Sequence, residues 1–227
     1  MIKRFLFLCV LFFSCGVFAV SMGERRALSI PKGQDDNMPR LVHHLTDNIP
    51  DKTEQAKAIA VWIASHIAYD HDLNSTYRIA SSKAGQSGDD VFKNRIGICS
   101  GFSDLYEKML RQVGIRSEKV YGYVVENAPT QTKAKLMVKK EKIGHVWTKV
   151  HIPGRLPLLV DTTWMARGSF GGTKKRHSEM ARKREIRQNK RENKSYAHNM
   201  KYFDFDYADL MNQGEYRFST MRQLIKK

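Results

Sequence analysis

Thiols are almost missing from this 227-residue chain, which carries cysteine only at positions 9, 15 and 99. The first two lie in or beside an apolar stretch, Phe5 to Phe13, that follows Lys3 and Arg4 and precedes the small-residue sequence Val17-Phe18-Ala19. Basic, apolar and small residues in that order read as a secretory signal over residues 1–19, with the mature chain starting near Val20. Cys99 is then the sole thiol, and an intramolecular disulfide is excluded. A lone cysteine in an exported protein is an inert buried residue, a handle for intermolecular pairing or a reactive thiol. The count alone does not choose.

Long hydrophobic runs are also lacking. The N-terminal apolar stretch is shorter than the ~20 residues a spanning helix needs, and no stop-transfer pattern follows, which weighs against an uncleaved anchor. Lipidation at Cys15 is an alternative, although Phe12 and Phe13 stand where a lipobox has smaller aliphatic residues. The expected location is periplasmic or secreted. Metal-ligand patterns are thin as well. Of His66, Asp70, His71 and Asp72, only His66 and Asp70 share one helical face, and no zinc signature follows. Neither metal nor cofactor is expected, and His43, His44 and His177 are assigned to the surface.

Acidic residues are scarce. There are 39 basic residues against 23 acidic, and loss of Lys3 and Arg4 with the signal leaves 37 against 23. Half of that excess sits between Lys174 and Lys194, where ten basic residues face only Glu179, Glu185 and Glu192. With Met180 and Ile186 as its only large apolar residues, this segment cannot bury a face and is either a solvated helix or disordered. In an exported protein its partner would be an anionic envelope component rather than nucleic acid; a merely solvated charged helix is the alternative.

What is present fits one domain plus appendages. Residues 20–50 read as a lead-in, extended or poorly ordered through residue 40, and residues 51–227 as the domain, with a basic insertion at 174–194. Ala56, Ile59, Ala60, Ile63, Ala64 and Ile67 recur at helical spacing from Thr53 to Tyr69, with Thr53 available as N-cap and Trp62 near the apolar face. Residues 74–90 are loop-like, and the triplet Asn74-Ser75-Thr76 carries no meaning in a bacterial host. A second helix runs from Ser100 to Val113 and stops at Gly114. Strands are expected at Lys119 to Val125, His145 to Ile152 and Leu158 to Trp164, with an exposed hairpin-like excursion from Thr130 to Lys142. The tail from Tyr202 to Ile225 regains aromatic and apolar residues and should pack back on the domain. Helices first and strands later indicate an α+β fold.

Cys99 is flanked by Gly97 and Gly101 at the start of a helix. A helix N-terminus favours the thiolate and offers amides to a developing oxyanion, and the glycines are expected to keep side chains away from the sulfur. His145 opens one predicted strand, and Asp161 lies toward the end of the next. Antiparallel pairing of those strands would give the histidine a carboxylate to fix its tautomer and support its imidazolium.

Gly97-Ile98-Cys99-Ser100-Gly101-Phe102, His145-Val146-Trp147 and Val160-Asp161-Thr162-Thr163-Trp164 together resemble the transglutaminase-like superfamily, in the branch shared by bacterial exported proteins and kyphoscoliosis and cytokinesis proteins. The resemblance extends over residues 55–225. It implies a papain-like core with Cys99 as nucleophile, His145 as base and Asp161 as the orienting residue, in a peptidase or amidase acting on a protein or peptide. A cross-linking transglutaminase and a non-catalytic envelope scaffold are the alternatives. The sequence departs from the pattern at the basic stretch and at Met165, where a glycine is usual.

Overall fold

The computed structural model describes residues 20–31, 33–70, 86–141, 144–170, 179–192, 195 and 197–219. The signal segment, the Asn74-Ser75-Thr76 triplet, most of the 74–90 loop, His71, Asp72 and His177 lie outside these residues.

The fold is built around α3 (Lys52–His66), whose Ala56 and whole run from Ala58 to Ser65 are buried. A helix apolar on all sides is buried on all sides, and its alanines let neighbours come close. At Gly23 in α1 (Met22–Leu28), an added Cβ would lie 2.3 Å from the Glu54 carbonyl oxygen. The expected lead-in is therefore helical and packed. Ser21 caps α1, Asn37 caps α2 (Met38–Thr46), and Ala27, Ile30, Leu41 and Leu45 enter the core. Two turns of α1 are too short to show a period, and the helix draws its stability from α3. Asp51, not Thr53, caps α3, accepting from the amides of Thr53 and Glu54 at 2.6 and 3.0 Å. The helix also stops at His66 instead of Tyr69. Beyond it β1 (Ala68–Tyr69) pairs in parallel with β2 (Ile96–Gly97), and Ala68 and Asp70 donate to the carbonyls of Arg95 and Gly97.

Ser87 caps α4 (Gly88–Asn94), which ends at Arg95 in the left-handed conformation. After β2 comes α5 (Cys99–Gln112), which packs against β3 (Arg116–Val125) and β4 (Gly144–His151). With β5 (Leu158–Val160) and β6 (Tyr216–Ser219) these strands form an antiparallel sheet in the order β5-β4-β3-β6. The architecture is α+β, with the cysteine at the N-terminus of a helix laid on an antiparallel sheet.

Two further expectations are corrected. The strand expected to reach Trp164 ends at Val160, because Asp161 turns the chain into α7 (Thr162–Phe170). The excursion after Thr130 is not a hairpin but the helix α6 (Gln131–Glu141), whose buried Ala134 and Val138 cluster with Val125, Tyr216 and Phe218. An apolar pair at four-residue spacing is enough to seat this otherwise polar helix. Of the basic stretch, the described part forms α8 (Glu179–Glu192), the helical one of its two alternatives, and residues 174–178 and 193–194 lie outside the described residues. Up to Ser219 the tail returns as expected, through a 3-10 turn at Met200–Tyr202 and α9 (Tyr207–Asn212) into β6 beside β3, and residues 220–225 lie outside the described residues. Among the described residues no helix is long and apolar enough to cross a membrane.

Candidate active site

Cys99 is the first residue of α5, is half-buried, and has no side chain capping the helix before it. The backbone leading to it is firmly held. Arg95 is buried between the rings of Trp62 and Phe92, at 4.5 and 4.6 Å, and is ion-paired to Asp35 at 3.0 Å. The carboxamide oxygen of Gln86 accepts the Ile98 amide at 2.9 Å. Gln86 also corrects the reading of the two glycines. A Cβ on Gly101 would stand 2.6 Å from a Val91 methyl and 2.8 Å from the Gln86 oxygen, and one on Gly97 would meet the same groups. These glycines admit Val91 and Gln86 rather than leaving open space by the sulfur.

His145 projects from β4 on the sheet face that also carries Trp147, since side chains two apart share a face. Its Nε2 lies 2.7 Å from Asp161 Oδ2. That leaves Nδ1 free of the carboxylate, and the ring acts on the Cys99 thiol. The ring stacks near Trp147 and meets Trp164 edge-on, each at 6.0 Å between centroids.

Asp161 reaches His145 from outside the strand. Val160 pairs with Thr148, and Asp161 follows it at the junction with α7. There the aspartate does two jobs, because Oδ1 accepts the Trp164 amide at 3.0 Å and so caps α7, while Oδ2 faces His145. The side chain is fully buried. The structure thus brings Cys99, His145 and Asp161 together, with His145 hydrogen-bonded to Asp161 and near enough to Cys99 to act on its thiol.

The electrostatics follow from that arrangement. Burial works against the Cys99 thiolate, but the hydrogen bond and charge of His145, with the Val146 amide, outweigh it and hold the thiol below its ordinary value. Burial also opposes the imidazolium, yet the charge and hydrogen bond of Asp161 dominate and raise His145 to about 9. Asp161 is pushed up by burial and pulled down further by His145 and Arg217, to about 2. All three shifts favour the charged forms: thiolate, imidazolium and carboxylate.

Sequence reasoning missed Arg217. Its Nη1 donates to Asp161 Oδ2 at 2.5 Å, and its Nε to Glu215 Oε1 at 3.0 Å. The available signal was a single arginine between Tyr216 and Phe218 in a strand-like run. Of the residues weighed for metal, His66 donates through Nδ1 to the Trp62 carbonyl at 2.9 Å, and no cluster of three metal-ligating side chains occurs among the described residues. His43 is exposed, and His44 is half-buried with its Nε2 3.1 Å from Gln34 Oε1.

The family model of the transglutaminase-like superfamily matches residues 39–166, which include Cys99, His145 and Asp161. Kyphoscoliosis peptidase from Mus musculus is 30% identical over 126 residues, covering 55% of this chain and 17% of that protein. The Homo sapiens protein of the same name is 30% identical over 129 residues, covering 56% of this chain and 18% of its own. The chain therefore spans less than a fifth of the length of these relatives. A crystal structure of a TGase aligns with a TM-score of 0.42 at 18% identity, over 64% of this chain and 34% of that one.

Proposed function

Because the chain belongs to the transglutaminase-like superfamily, we propose that it is a cysteine-dependent acyl-transfer enzyme that hydrolyses an amide bond of a protein or peptide, with Cys99, His145 and Asp161 as its reacting groups. The observation that carries this reading is the arrangement around Cys99: the thiol opens α5, His145 is held by Asp161 at 2.7 Å, and the histidine biases the cysteine toward the thiolate against its own burial. An inert buried cysteine would be pushed the other way.

In the first half-reaction the Cys99 thiolate adds to the substrate carbonyl carbon, and the oxygen takes the negative charge. The uncapped first turn of α5 points amides and the positive end of its dipole at that position. As the tetrahedral species collapses, the C–N bond breaks, and the departing amine takes the proton of His145. A thioester and neutral imidazole remain. Water then attacks the thioester carbonyl, gives a proton to His145, and releases the acid together with the thiolate. Asp161 stabilises the imidazolium in both halves. An amine in place of water would make the second half a transamidation. Hydrolysis is favoured because the kyphoscoliosis relatives are called peptidases.

The reading includes export, supported by the basic, apolar and small residues that precede Val20. It also includes an anionic envelope partner for α8, supported by exposed Arg184, Lys190 and Arg191.

The test is the pH dependence of Cys99 alkylation by iodoacetamide, read by mass on the peptide that carries it, in the wild type and in His145→Ala. Reaction well below the ~8.5 of a free cysteine, abolished by the substitution, is expected. A free-thiol profile in both proteins would leave a non-catalytic binding protein as the better account. Release of new amino termini from a peptide mixture, against incorporation of a labelled amine, then separates hydrolysis from transfer.

A further inference from the structure

Arg217 has no solvent exposure at its side chain, and four aromatic rings enclose its guanidinium. Trp147, Trp164, Tyr202 and Phe205 lie with centroids 5.4, 5.1, 5.4 and 4.7 Å from the central carbon. Cation–π contacts offset part of the lost hydration, but a buried cation is rarely the most stable filling for an aromatic pocket. An apolar side chain of similar volume is often as good or better. Fold stability alone therefore gives little reason for an arginine here, and its hydrogen bonds show where it acts.

Asp161 Oδ2 receives two donors, His145 Nε2 at 2.7 Å and Arg217 Nη1 at 2.5 Å, while Oδ1 receives the Trp164 amide at 3.0 Å. These donors come from β4, β6 and α7. A carboxylate held from three elements cannot rotate away from the histidine, and with two cations on one oxygen it cannot readily hold a proton. Arg217 is itself fixed on its other side, since its Nε donates to Glu215 Oε1 at 3.0 Å. Glu215 Oε2 in turn accepts the Tyr202 hydroxyl at 3.0 Å and faces Lys201 Nζ at 3.6 Å.

We propose that Arg217 is a positioning residue for the reaction, acting through Asp161 to keep His145 charged and aimed at Cys99. This rests on the reading of Cys99, His145 and Asp161 as a working triad. The charged and titratable groups around the guanidinium are Asp161 and His145 on one side, Glu215, Tyr202 and Lys201 on the other, and Tyr207 from α9. Glu126, after β3, also acts on Tyr202. Arg217 is the cation among them that bonds both Asp161 and Glu215. Without it, a buried carboxylate facing one imidazolium would draw the proton toward itself, and the thiolate would lose its counter-charge. The fork matters as well as the charge, because a lysine ammonium at this site can reach one carboxylate at a time.

The deciding experiment is the midpoint of Cys99 alkylation against pH in the wild type, His145→Ala, Arg217→Met and Arg217→Lys, each shown to be folded by near-UV circular dichroism. Arg217→Met is expected to raise the midpoint by about one pH unit, which is about tenfold slower alkylation on the acid side, and Arg217→Lys by a smaller amount. A purely structural arginine would lower stability and leave the midpoint of the folded protein where it was. Wild-type midpoints in both folded Arg217 variants, with a raised one in His145→Ala, overturn the positioning role and leave the triad standing. A wild-type thiol that titrates as a free one removes the triad, and this proposal with it. Should Arg217→Met fail to fold, Arg217→Lys decides alone: a raised midpoint supports the role and an unchanged one overturns it.

Discussion

Gly122 on β3 stands directly opposite His145 on β4, and it is the one position in that pair where a side chain cannot be built. A Cβ there would lie 2.1 Å from the Phe218 carbonyl oxygen and 2.6 Å from the Trp147 ring. The edge strand β6, the ring beneath the histidine and the histidine's own strand therefore meet across one missing methyl group. Gly122→Ala is expected to spread β3 from β6, costing on the order of 1–3 kcal/mol as an overpacked site does. It should also slow Cys99 alkylation by displacing Trp147 and Arg217. Urea unfolding and the alkylation rate at pH 7 check the two effects. A variant with wild-type values of both would show that β6 shifts freely.

Under the proposed mechanism, the coupled pair of Cys99 and His145 should set the pH window for turnover. The thiol is held below its ordinary value, and the imidazolium persists up to about 9. Activity should rise on the acid side as the thiolate forms, and fall near pH 9 as the proton needed by the leaving amine is lost. Both limbs belong to the pair rather than to either residue. Measuring kcat/KM from pH 5 to 10 on a cleaved peptide checks this, and an activity that keeps rising through pH 9 contradicts it.

Asp161→Asn tests a different consequence of the same geometry. Asparagine can still accept from the Trp164 amide, but then its NH2 replaces Oδ2 and faces two donors, His145 Nε2 and Arg217 Nη1. Breaking a buried pair by neutralising one partner costs about 3–5 kcal/mol, because it strands the other charge. The urea midpoint should fall accordingly, and the low-pH alkylation of Cys99 should disappear. Asp161 also contributes to acid stability. Its folded value of about 2 lies below the ordinary 3.8, so its contribution is complete above the ordinary value and is lost as pH falls through 2.

The legible part of the site is the part written in local sequence. A cysteine at a helix start, a histidine opening a strand and an aspartate closing the next can each be read from neighbouring residues, and the order of elements along the chain gives α+β. What escaped depends on contacts between distant segments. Arg217 meets Asp161 across 56 residues of separation. Gln86 fills the space beside Gly97 and Gly101, so those glycines answer to packing that no local pattern reveals. The helical state of α1 is imposed by α3 through Gly23 and Glu54, whose carboxylate accepts the Gly23 amide at 2.8 Å. The end of β5 at Val160 was missed because Thr162-Thr163-Trp164 has strand propensity, and the capping side chain of Asp161 overrides it.

The core itself should be sensitive to acid through His66. This side chain is half-buried and lies nearly flat on Trp62 at 5.1 Å. Its Nδ1 is 2.9 Å from the Trp62 carbonyl oxygen, so it is the protonated nitrogen of a neutral ring. Burial pulls its value down to about 4, and Arg95 adds to the effect. A folded value below the unfolded 6.5 means that the unfolded chain binds a proton first. Stability should therefore drop as pH falls from 6.5 toward 4, by less than the ~1.4 kcal/mol per pH unit of a full proton difference, since the ring is partly solvated. In His66→Gln, which keeps a donor for the Trp62 carbonyl and has no proton to gain, that slope should flatten while the overall stability at pH 7.5 falls with the lost stacking. Urea unfolding at half-unit pH steps checks both. Parallel slopes in the two proteins would place the acid sensitivity in the carboxylates instead.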